Sequence, residues 1–313
     1  MFAYGAYSLN ESVRLKSSSG GIFYEIAKYV LDNDGIVYAA RFDSDYKVKH
    51  DSCSNIEDLY LFMGSKYVQS EIGNCFDKIK KYLESNKTVL FVGTPCQNEG
   101  LLLYLNKMYP NLICLDFFCH GVPSPKVWYA YLSENFTNIK SVNFRDKGKG
   151  WKNYRLTIST DRSVIDQSRY DNLYMKLFLE NVSLRPSCYN CRFKTLDRKS
   201  DFTIADYWGA QNLSPELFDD KGASIVLLHS EKAEKIWDAI KENIKNVPIT
   251  KEMILQSNPM ALRSVRKPIT RKKFFEILDS CGMHHAAQYA TQMTAKRKLY
   301  IYIKRIVKGM LGG

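Results

Sequence analysis

The sequence predicts an α/β protein with a mixed, largely parallel sheet, flanking helices and an inserted antiparallel element. Short apolar runs bounded by turn residues alternate with segments of helical period, which is typical of strands joined by helices. A hairpin is predicted near the middle of the chain, where it interrupts this alternation. It is formed by YRLTIST and SVID, with Asp161 and Arg162 as the turn between them. Hydrophobic residues make up 45% of the 313 residues, which excludes a disordered or collagen-like chain.

The elements follow from these patterns in chain order. Short apolar runs between turn residues indicate strands, and longer segments with apolar residues three and four apart indicate helices. The predicted strands are Ala3 to Tyr7, Ile36 to Arg41, Thr88 to Val92, Leu112 to Phe117, Ser141 to Phe144, Phe202 to Ala205 and Ser224 to Leu228. The predicted helices are Gly21 to Leu31, Glu71 to Leu83, Gln97 to Asn106, Pro125 to Glu134, Leu173 to Glu180 and Glu231 to Lys241.

The cysteine content and the N-terminus indicate a cytoplasmic protein with reduced thiols. Eight cysteines in 313 residues are too few for a disulfide scaffold, and MFAYGAYSLN lacks the basic and apolar regions of a signal peptide. The longest apolar runs, TVLFV, LICLDFFC and ASIVLL, are much shorter than the roughly 18 to 20 residues that cross a bilayer. We therefore expect no membrane-spanning segment.

The positive charge is concentrated at the C-terminus. Residues 261–313 contain twelve Lys and Arg but two Asp and Glu, whereas the other residues are almost balanced. A groove that binds nucleic acid would spread its basic residues through the folded body, so we expect no nucleic-acid partner. In the tail, Leu299, Ile303, Ile306 and Met310 form one apolar helical stripe beside basic residues. Such a helix could dock on its own domain, on a partner or on an anionic membrane at the inner face.

Four cysteines carry the strongest chemical signal. Cys188 and Cys191 form a C-x2-C pair, a spacing that allows two thiolates to reach one metal centre. Cys96 and Cys119 each follow the carboxyl end of a predicted strand, where open α/β sheets bind ligands. Four converging thiolates suit zinc or an iron-sulfur cluster, and two ligands on separate loops favour a cluster. Zinc and unligated cysteines remain alternatives.

A second signal suits an anionic group of a nucleotide cofactor. The segment Lys16 to Gly21, KSSSGG, directly precedes a predicted helix, so backbone N-H groups, hydroxyls and the helix dipole would face one point. An ordinary serine cap would look the same, and neither a P-loop nor G-x-G-x-x-G is present. Lys66 and Tyr67, after a glycine turn, offer a cation and a ring, and His120 is a candidate proton donor.

Together these pieces resemble the beta subunit of coenzyme F420 hydrogenase and dehydrogenase, a family that is also similar to flavin and iron-sulfur reductases. The resemblance covers about 270 residues, with the pieces in the family's order. It is carried by SSSGGIF, GSKYVQS, FVGTPCQ, FFCHGVPSPKVW, FRDKGKGW, LRPSCYNCRFK, SDFTIADYWG and NPMALRSVRKPITRKKFF.

The resemblance implies a flavin- and [4Fe-4S]-dependent oxidoreductase. Carried over by position, the cluster ligands are Cys96, Cys119, Cys188 and Cys191. The flavin site takes Ser18, Ser19, Gly20, Gly21, Lys66, Tyr67, Thr94 and Gln97. FAD is the expected flavin, with FMN as the alternative, and coenzyme F420 or another small molecule is the expected substrate. We expect a flavin-binding region at 1–95, an iron-sulfur and flavin region at 96–290 and a basic amphipathic tail helix at 291–313.

Many members of this family carry an N-terminal ferredoxin-like segment with two further clusters, but this sequence has no C-x2-C-x2-C-x3-C-P run. We therefore expect electrons to come from a separate ferredoxin or another electron-transfer protein. The basic tail is a candidate docking surface for it. Two other classes stay open: an accessory or modifying protein of surface-polysaccharide biosynthesis, and a zinc-stabilised binding module.

Overall fold

The computed structural model describes residues 2–291. Its strands are β1 (Phe2–Ser8), β2 (Ile36–Phe42), β3 (Val48–Cys53), β4 (Val89–Val92), β5 (Leu112–Phe117), β6 (Ile139–Asp146), β7 (Arg155–Thr160), β8 (Val164–Ser168), β9 (Phe202–Asp206), β10 (Ser224–Leu228) and β11 (Ile244–Pro248). Its α-helices are α1 (Glu11–Lys16), α2 (Ile22–Asp32), α3 (Cys75–Glu84), α4 (Pro95–Leu105), α5 (Pro125–Asn135), α6 (Leu173–Leu179), α7 (Ala210–Leu213), α8 (Glu231–Ile240), α9 (Lys251–Ser257) and α10 (Arg271–Thr291), the last with a break at Gly282.

Eight strands form one mixed sheet in the order β11-β1-β10-β9-β5-β4-β2-β3. The four central strands β9, β5, β4 and β2 run parallel to one another, and the strands outside them pair antiparallel. Strands β6, β7 and β8 form a separate antiparallel sheet. The predicted fold class, including its inserted antiparallel element, is confirmed.

Helices cover both faces of the large sheet, because alternate residues of a strand point to opposite sides. On β2, Val37 and Ala39 pack in the core that contains α2 and α8. Their neighbours Ile36 and Tyr38 pack in the core that contains α3 and α4. The parallel strands are therefore buried on both faces, and their carboxyl ends are left as the open edge of this layer.

A further core joins the small sheet to α5, α6 and α10, with Trp128 and Tyr174 fully buried at its centre. Strand β1 lies between β10 and β11, so the N-terminal strand completes a sheet whose neighbouring strands come from the second half of the chain. The division into regions 1–95 and 96–290 stays a prediction.

Within residues 2–291, no helix combines the length and the apolar character that crossing a membrane requires. The predicted tail helix, with its proposed membrane or ferredoxin contact, lies outside the described residues, apart from Thr291.

Candidate functional site

A cavity of about 610 Å³ opens at the carboxyl ends of the central strands. Its wall includes Ala39 of β2, Val92 of β4, Phe117 of β5 and Ala205 of β9. Open α/β sheets bind ligands at this edge, and the volume is within the range of small-molecule sites. The cavity is therefore the candidate functional site.

The serine loop before α2 forms one wall of this cavity and is held from behind. The carbonyl oxygen of Ser18 accepts hydrogen bonds from Arg145 Nη2 at 3.0 Å and from Trp151 Nε1 at 3.2 Å. The Ser18 hydroxyl oxygen accepts from the backbone N-H of Ser65 at 2.6 Å. These bonds tie the loop to the small sheet and to the segment that carries Lys66.

Ser19 is fixed by the protein in a similar way. Its hydroxyl donates to the carbonyl oxygen of Ala223 at 2.5 Å, and its own carbonyl oxygen accepts from Lys147 Nζ at 2.7 Å. Lys147 also donates to the carbonyl oxygens of Arg14 and Lys221, each at 2.7 Å. Ser18, Ser19 and Gly21 line the cavity, and the hydroxyl of Ser19 is directed to the protein.

Gly20 has a packing role in this loop and is not part of the cavity wall. Its backbone N-H donates to Ser224 Oγ at 3.0 Å, and a Cβ atom added here would lie 2.5 Å from the carbonyl oxygen of Ala6. Gly21, at φ 87°, adopts the left-handed conformation that starts α2. The loop therefore needs glycine at both positions, for different reasons.

Replacing Gly20 with alanine is expected to lower the free energy of unfolding by about 2 kcal/mol or more, because the new methyl group meets backbone atoms that cannot move aside. Gly100→Ala is the matched control. A Cβ at this position in α4 would lie 3.7 Å from the nearest ring atom, so stability should be unchanged or higher by up to about 1 kcal/mol. Urea unfolding of both variants measures the difference, and equal stability would contradict the packing role.

Lys66 and Tyr67 both line the cavity. Lys66 Nζ donates to the carbonyl oxygens of Met63 at 2.9 Å and Leu61 at 3.2 Å, and burial, with a smaller effect of Arg41, lowers its pKa to about 7. The Tyr67 ring stacks on Phe178 with 4.6 Å between centroids. The predicted cation and ring are thus both present in one wall.

Thr94 and Gln97 begin α4 and also line the cavity. The Gln97 side-chain oxygen accepts from the backbone N-H of Thr94 at 2.9 Å, and its amide nitrogen donates to Ser70 Oγ at 2.9 Å. Gln97 therefore joins the β4–α4 loop to the segment that carries Lys66. In the same loop, Thr94 Oγ1 lies 3.1 Å from Cys96 Sγ.

Cys96 and Cys119 lie in the same cavity wall. Cys96 is in the first turn of α4, directly after β4, and Cys119 is in the loop after β5. Because β4 and β5 are adjacent parallel strands, these two loops are neighbours. The position predicted from the sequence, just past two strand ends, is the position in the structure.

The Cys188 and Cys191 loop lies against the Cys119 loop. Arg185 N donates to the carbonyl oxygen of Val122 at 2.9 Å, which joins the two loops by their backbones. A Cβ added at Gly121, where φ is 154°, would lie 2.8 Å from Leu184 Cδ1 and 3.3 Å from Cys188 Cβ, so this close approach favours glycine. Cys191 N donates to Ser264 Oγ at 2.9 Å.

The four cysteines are close enough to influence one another electrostatically. Burial raises the pKa of Cys119 to about 12, and Cys96, Cys188 and Cys191 act in the same direction, whereas Lys194 opposes them. Burial likewise raises the pKa of Cys188. Among residues 2–291, no group of three or more His, Cys, Asp and Glu side chains is arranged to hold a metal ion. The structure thus gathers these four thiols without forming a compact single-ion site in the part it describes.

His120 lies in the cavity wall beside Cys119. Its Nε2 is 2.7 Å from Asn181 Oδ1, an acceptor, so Nε2 carries the hydrogen. Burial lowers the pKa of His120, although this hydrogen bond opposes the shift. The ring is therefore neutral near pH 7, with its Nε2 hydrogen already donated within the protein.

Two polar residues of the cavity wall were not among the predicted site residues. Arg145 is buried, donates to both carboxylate oxygens of Asp206 at 2.8 and 3.1 Å, and lies over the Tyr154 ring. His50 is also buried. Its Nε2 bonds to the carbonyl oxygen of Val92 at 3.0 Å, and its Nδ1 has no hydrogen-bond partner among the described residues. Burial lowers the pKa of His50 to about 4, so the ring is neutral and Nδ1 is a buried acceptor.

Comparisons with known proteins support the fold and the family of the chain. A family model for the C-terminal part of the coenzyme F420 hydrogenase/dehydrogenase beta subunit matches residues 86–252. A chain of the F420-reducing [NiFe] hydrogenase complex from Methanosarcina barkeri superposes with a TM-score of 0.58 at 17% sequence identity. The match covers 91% of this chain and 94% of that chain. No curated protein matches the sequence.

The structural likeness supports the fold, and the family model supports the relationship. The matched region contains the four cysteines, Thr94, Gln97, His120 and Arg145, so it includes a large part of the cavity wall. Because the family model covers more than half of the sequence, the chain belongs to the coenzyme F420 hydrogenase/dehydrogenase beta subunit family.

Proposed function

We propose that the chain is an oxidoreductase that binds a flavin in the cavity and a [4Fe-4S] cluster on Cys96, Cys119, Cys188 and Cys191, and that it passes electrons between them. The observation that carries the proposal is the shared wall. Cys96 and Cys119 line the same cavity as the serine loop and Lys66. A flavin in this cavity would lie beside the cluster ligands.

The donor set supports a cluster. All four candidate ligands are thiols, the usual ligands of iron-sulfur clusters. Since a four-iron cluster takes one cysteine per iron, its ligands surround a body larger than a single ion. Neighbouring thiols that do not converge on one ion are compatible with that geometry. Binding of the cluster would release the thiol protons that burial now retains.

The cavity wall supports a flavin. Lys66 supplies a cation for a phosphate or pyrophosphate, and Gly21 and Ile22 present the start of an eleven-residue helix at the same wall. Phe178 and Tyr67 supply aromatic surface for a ring system. FAD is the proposed flavin and FMN the alternative, and coenzyme F420 or another small organic molecule is the proposed substrate.

When bound, these groups supply hydride chemistry at the flavin and single-electron chemistry at the cluster. The chain supplies binding and orientation. Arg145 holds the serine loop through Ser18, and Gln97 holds the Cys96 loop against Ser70. The redox partner is proposed to be a separate ferredoxin or another electron-transfer protein.

Cofactor content tests the proposal. Protein purified without oxygen is expected to be brown, with about four irons, four sulfides and one flavin per chain. Colourless protein without iron or flavin would contradict it and would favour an accessory role in polysaccharide assembly. A colourless, zinc-loaded preparation would favour a zinc-stabilised module instead.

The affinity for FAD is expected to depend on pH through Lys66. An anionic ligand favours the charged amine, and the pKa of this amine in the free protein is about 7. Affinity should therefore be highest below pH 7 and fall above it, by at most about tenfold per pH unit, until the pH exceeds the pKa of the loaded protein. Fluorescence titration of FAD from pH 6 to 9 measures this.

The Lys66→Met variant should lose the fall in FAD affinity above pH 7, and it should bind FAD roughly tenfold more weakly than wild type at low pH. Lys47→Met is the matched control, because this lysine is exposed and its Nζ lies 3.7 Å from Asp45 Oδ2. It should keep the wild-type dependence of FAD affinity on pH. A decline that persists in Lys66→Met would exclude Lys66 as its source.

A further inference from the structure

The segment that holds the cysteine loop is strongly basic. Residues 258–273, which we call the basic segment, contain six Lys and Arg and no Asp or Glu. Its basic residues are Arg263, Arg266, Lys267, Arg271, Lys272 and Lys273. All of them lie within the described residues and precede the predicted tail helix, 291–313, in the sequence.

Three residues of the basic segment, Met260, Ser264 and Arg271, form hydrogen bonds with the loop that carries Cys188 and Cys191. Ser264 Oγ accepts from Cys191 N at 2.9 Å. Arg271 donates from Nη2 to the carbonyl oxygen of Leu184 at 2.9 Å and from Nε to Tyr189 Oη at 3.0 Å. Lys194 Nζ bridges the carbonyl oxygens of Cys119, at 2.6 Å, and Met260, at 3.2 Å. The basic segment therefore lies against the loop that carries two of the proposed cluster ligands.

Several cations of this surface are exposed and free to meet a partner. Arg263, Arg266 and Lys267 are exposed, as is Arg192 directly after Cys191. Among residues 2–291, none of these four takes part in an ion pair. The part of the chain that the structure describes therefore pairs none of these four cations with a carboxylate.

The same segment exposes apolar side chains between its cations. Ile269 is 99% exposed, and Leu262 and Met260 are 43% and 39% exposed. Protein interfaces combine apolar side chains with polar and charged ones, and a small interface suits a transient electron-transfer encounter. A purely ionic anion site would not need these side chains.

We propose that the basic segment, with Arg192, is the docking surface for an acidic one-electron carrier protein, which meets the chain at the Cys188 and Cys191 loop. This inference rests on the proposed function, because the carrier needs a cluster behind that loop. In each encounter the reduced carrier loses one electron and the cluster gains it, with no bond made or broken. Opposite charges accelerate such encounters and orient the partners.

Binding of an acidic [2Fe-2S] ferredoxin to the cofactor-loaded chain tests the surface. The dissociation constant, measured by calorimetry at about 20 mM salt, is expected to rise about tenfold or more in the Arg266→Glu, Lys267→Glu double variant. The difference should shrink at about 500 mM salt, where exposed charges are screened. A further variant, Ile269→Ser, should weaken binding at both salt concentrations, because its contact is apolar.

The matched control is the Lys235→Glu, Lys241→Glu double variant, which changes the net charge equally at exposed positions on or next to α8. Helix α8 packs against α2. The control should bind ferredoxin almost as wild type does. Two results would overturn the docking surface: both double variants weaken ferredoxin binding equally, or the wild-type dissociation constant does not change with salt concentration. Tighter binding of the whole chain to anionic vesicles than to ferredoxin, weakened by the Arg266→Glu, Lys267→Glu double variant, would also overturn the docking surface. It would assign this surface to lipid.

Iron and flavin content of the same samples separates the two possible failures. A loaded chain that does not bind ferredoxin overturns the docking surface alone. A chain that holds neither iron nor flavin overturns the proposed function.

Discussion

Replacing Cys188 with serine is expected to reduce the iron content from about four atoms per chain to less than one, with loss of the brown colour. A serine oxygen is a poor ligand for iron in such a cluster, and Cys188 lies within electrostatic reach of Cys96 and Cys191, two other proposed ligands. Iron and sulfide analysis of protein purified without oxygen measures the change. Cys96→Ser, Cys119→Ser and Cys191→Ser should give the same result.

Cys281→Ser is the matched control, because Cys281 is exposed in α10 and belongs to no proposed site. It should retain the full iron content. Thermal unfolding of both variants shows whether the fold survives. Retention of four irons by a folded Cys188→Ser protein would remove this residue from the ligand set.

Replacing Arg145 with methionine is expected to lower the free energy of unfolding by about 3 kcal/mol. The side chain is almost fully buried, and its loss leaves the Asp206 carboxylate without its donor and the Ser18 carbonyl oxygen with Trp151 Nε1 alone. Urea unfolding, followed by circular dichroism, measures the change. FAD affinity should fall as well, because the serine loop loses one of the hydrogen bonds that hold it from behind.

Arg155→Met makes the same substitution at a surface ion pair, between Arg155 of β7 and Asp166 of β8. Exposed pairs contribute little, so the expected change is below about 1 kcal/mol. If Arg145→Met lowered the free energy of unfolding no more than Arg155→Met does, the buried contacts of Arg145 with Asp206 and Ser18 would not stabilise the fold by the expected amount.

The main sheet could be predicted because its central strands are continuous apolar runs. Leu112–Phe117 and Ser224–Leu228 match their predicted bounds, since strands buried on both faces need apolar residues throughout. Strands β3 and β11 were missed. β3, VKHDSC, buries Val48, His50 and Cys53 between polar residues, and this short polar run does not differ from a loop in sequence.

The start of α3 shows how pairing between distant residues overrides helical periodicity. The prediction placed the helix start at Glu71, but the helix begins at Cys75. Glu71 N instead donates to the carbonyl oxygen of Val48 at 2.9 Å, and Gly73 has a φ of 53°. The segment around Glu71 thus pairs with the edge of β3, although the apolar periodicity predicts that it belongs to the helix.

Parts of the candidate site could be predicted because their positions follow from topology. The strand-end positions of Cys96 and Cys119 and the glycine-rich entry to α2 are local patterns that a parallel sheet brings to one edge. Arg145 and His50 could not be found in this way. Their roles depend on Asp206 and Val92, which are 61 and 42 residues away in sequence, and no local pattern encodes such pairs.

An anaerobic reductive titration of the purified, cofactor-loaded protein tests the central claim most directly. A flavin and one cluster together accept about three electrons per chain, two at the flavin and one at the cluster. We predict bleaching of the flavin absorption and a paramagnetic cluster signal within these three equivalents. Two equivalents without a cluster signal would contradict the four-cysteine cluster, and no uptake of electrons would contradict the redox function.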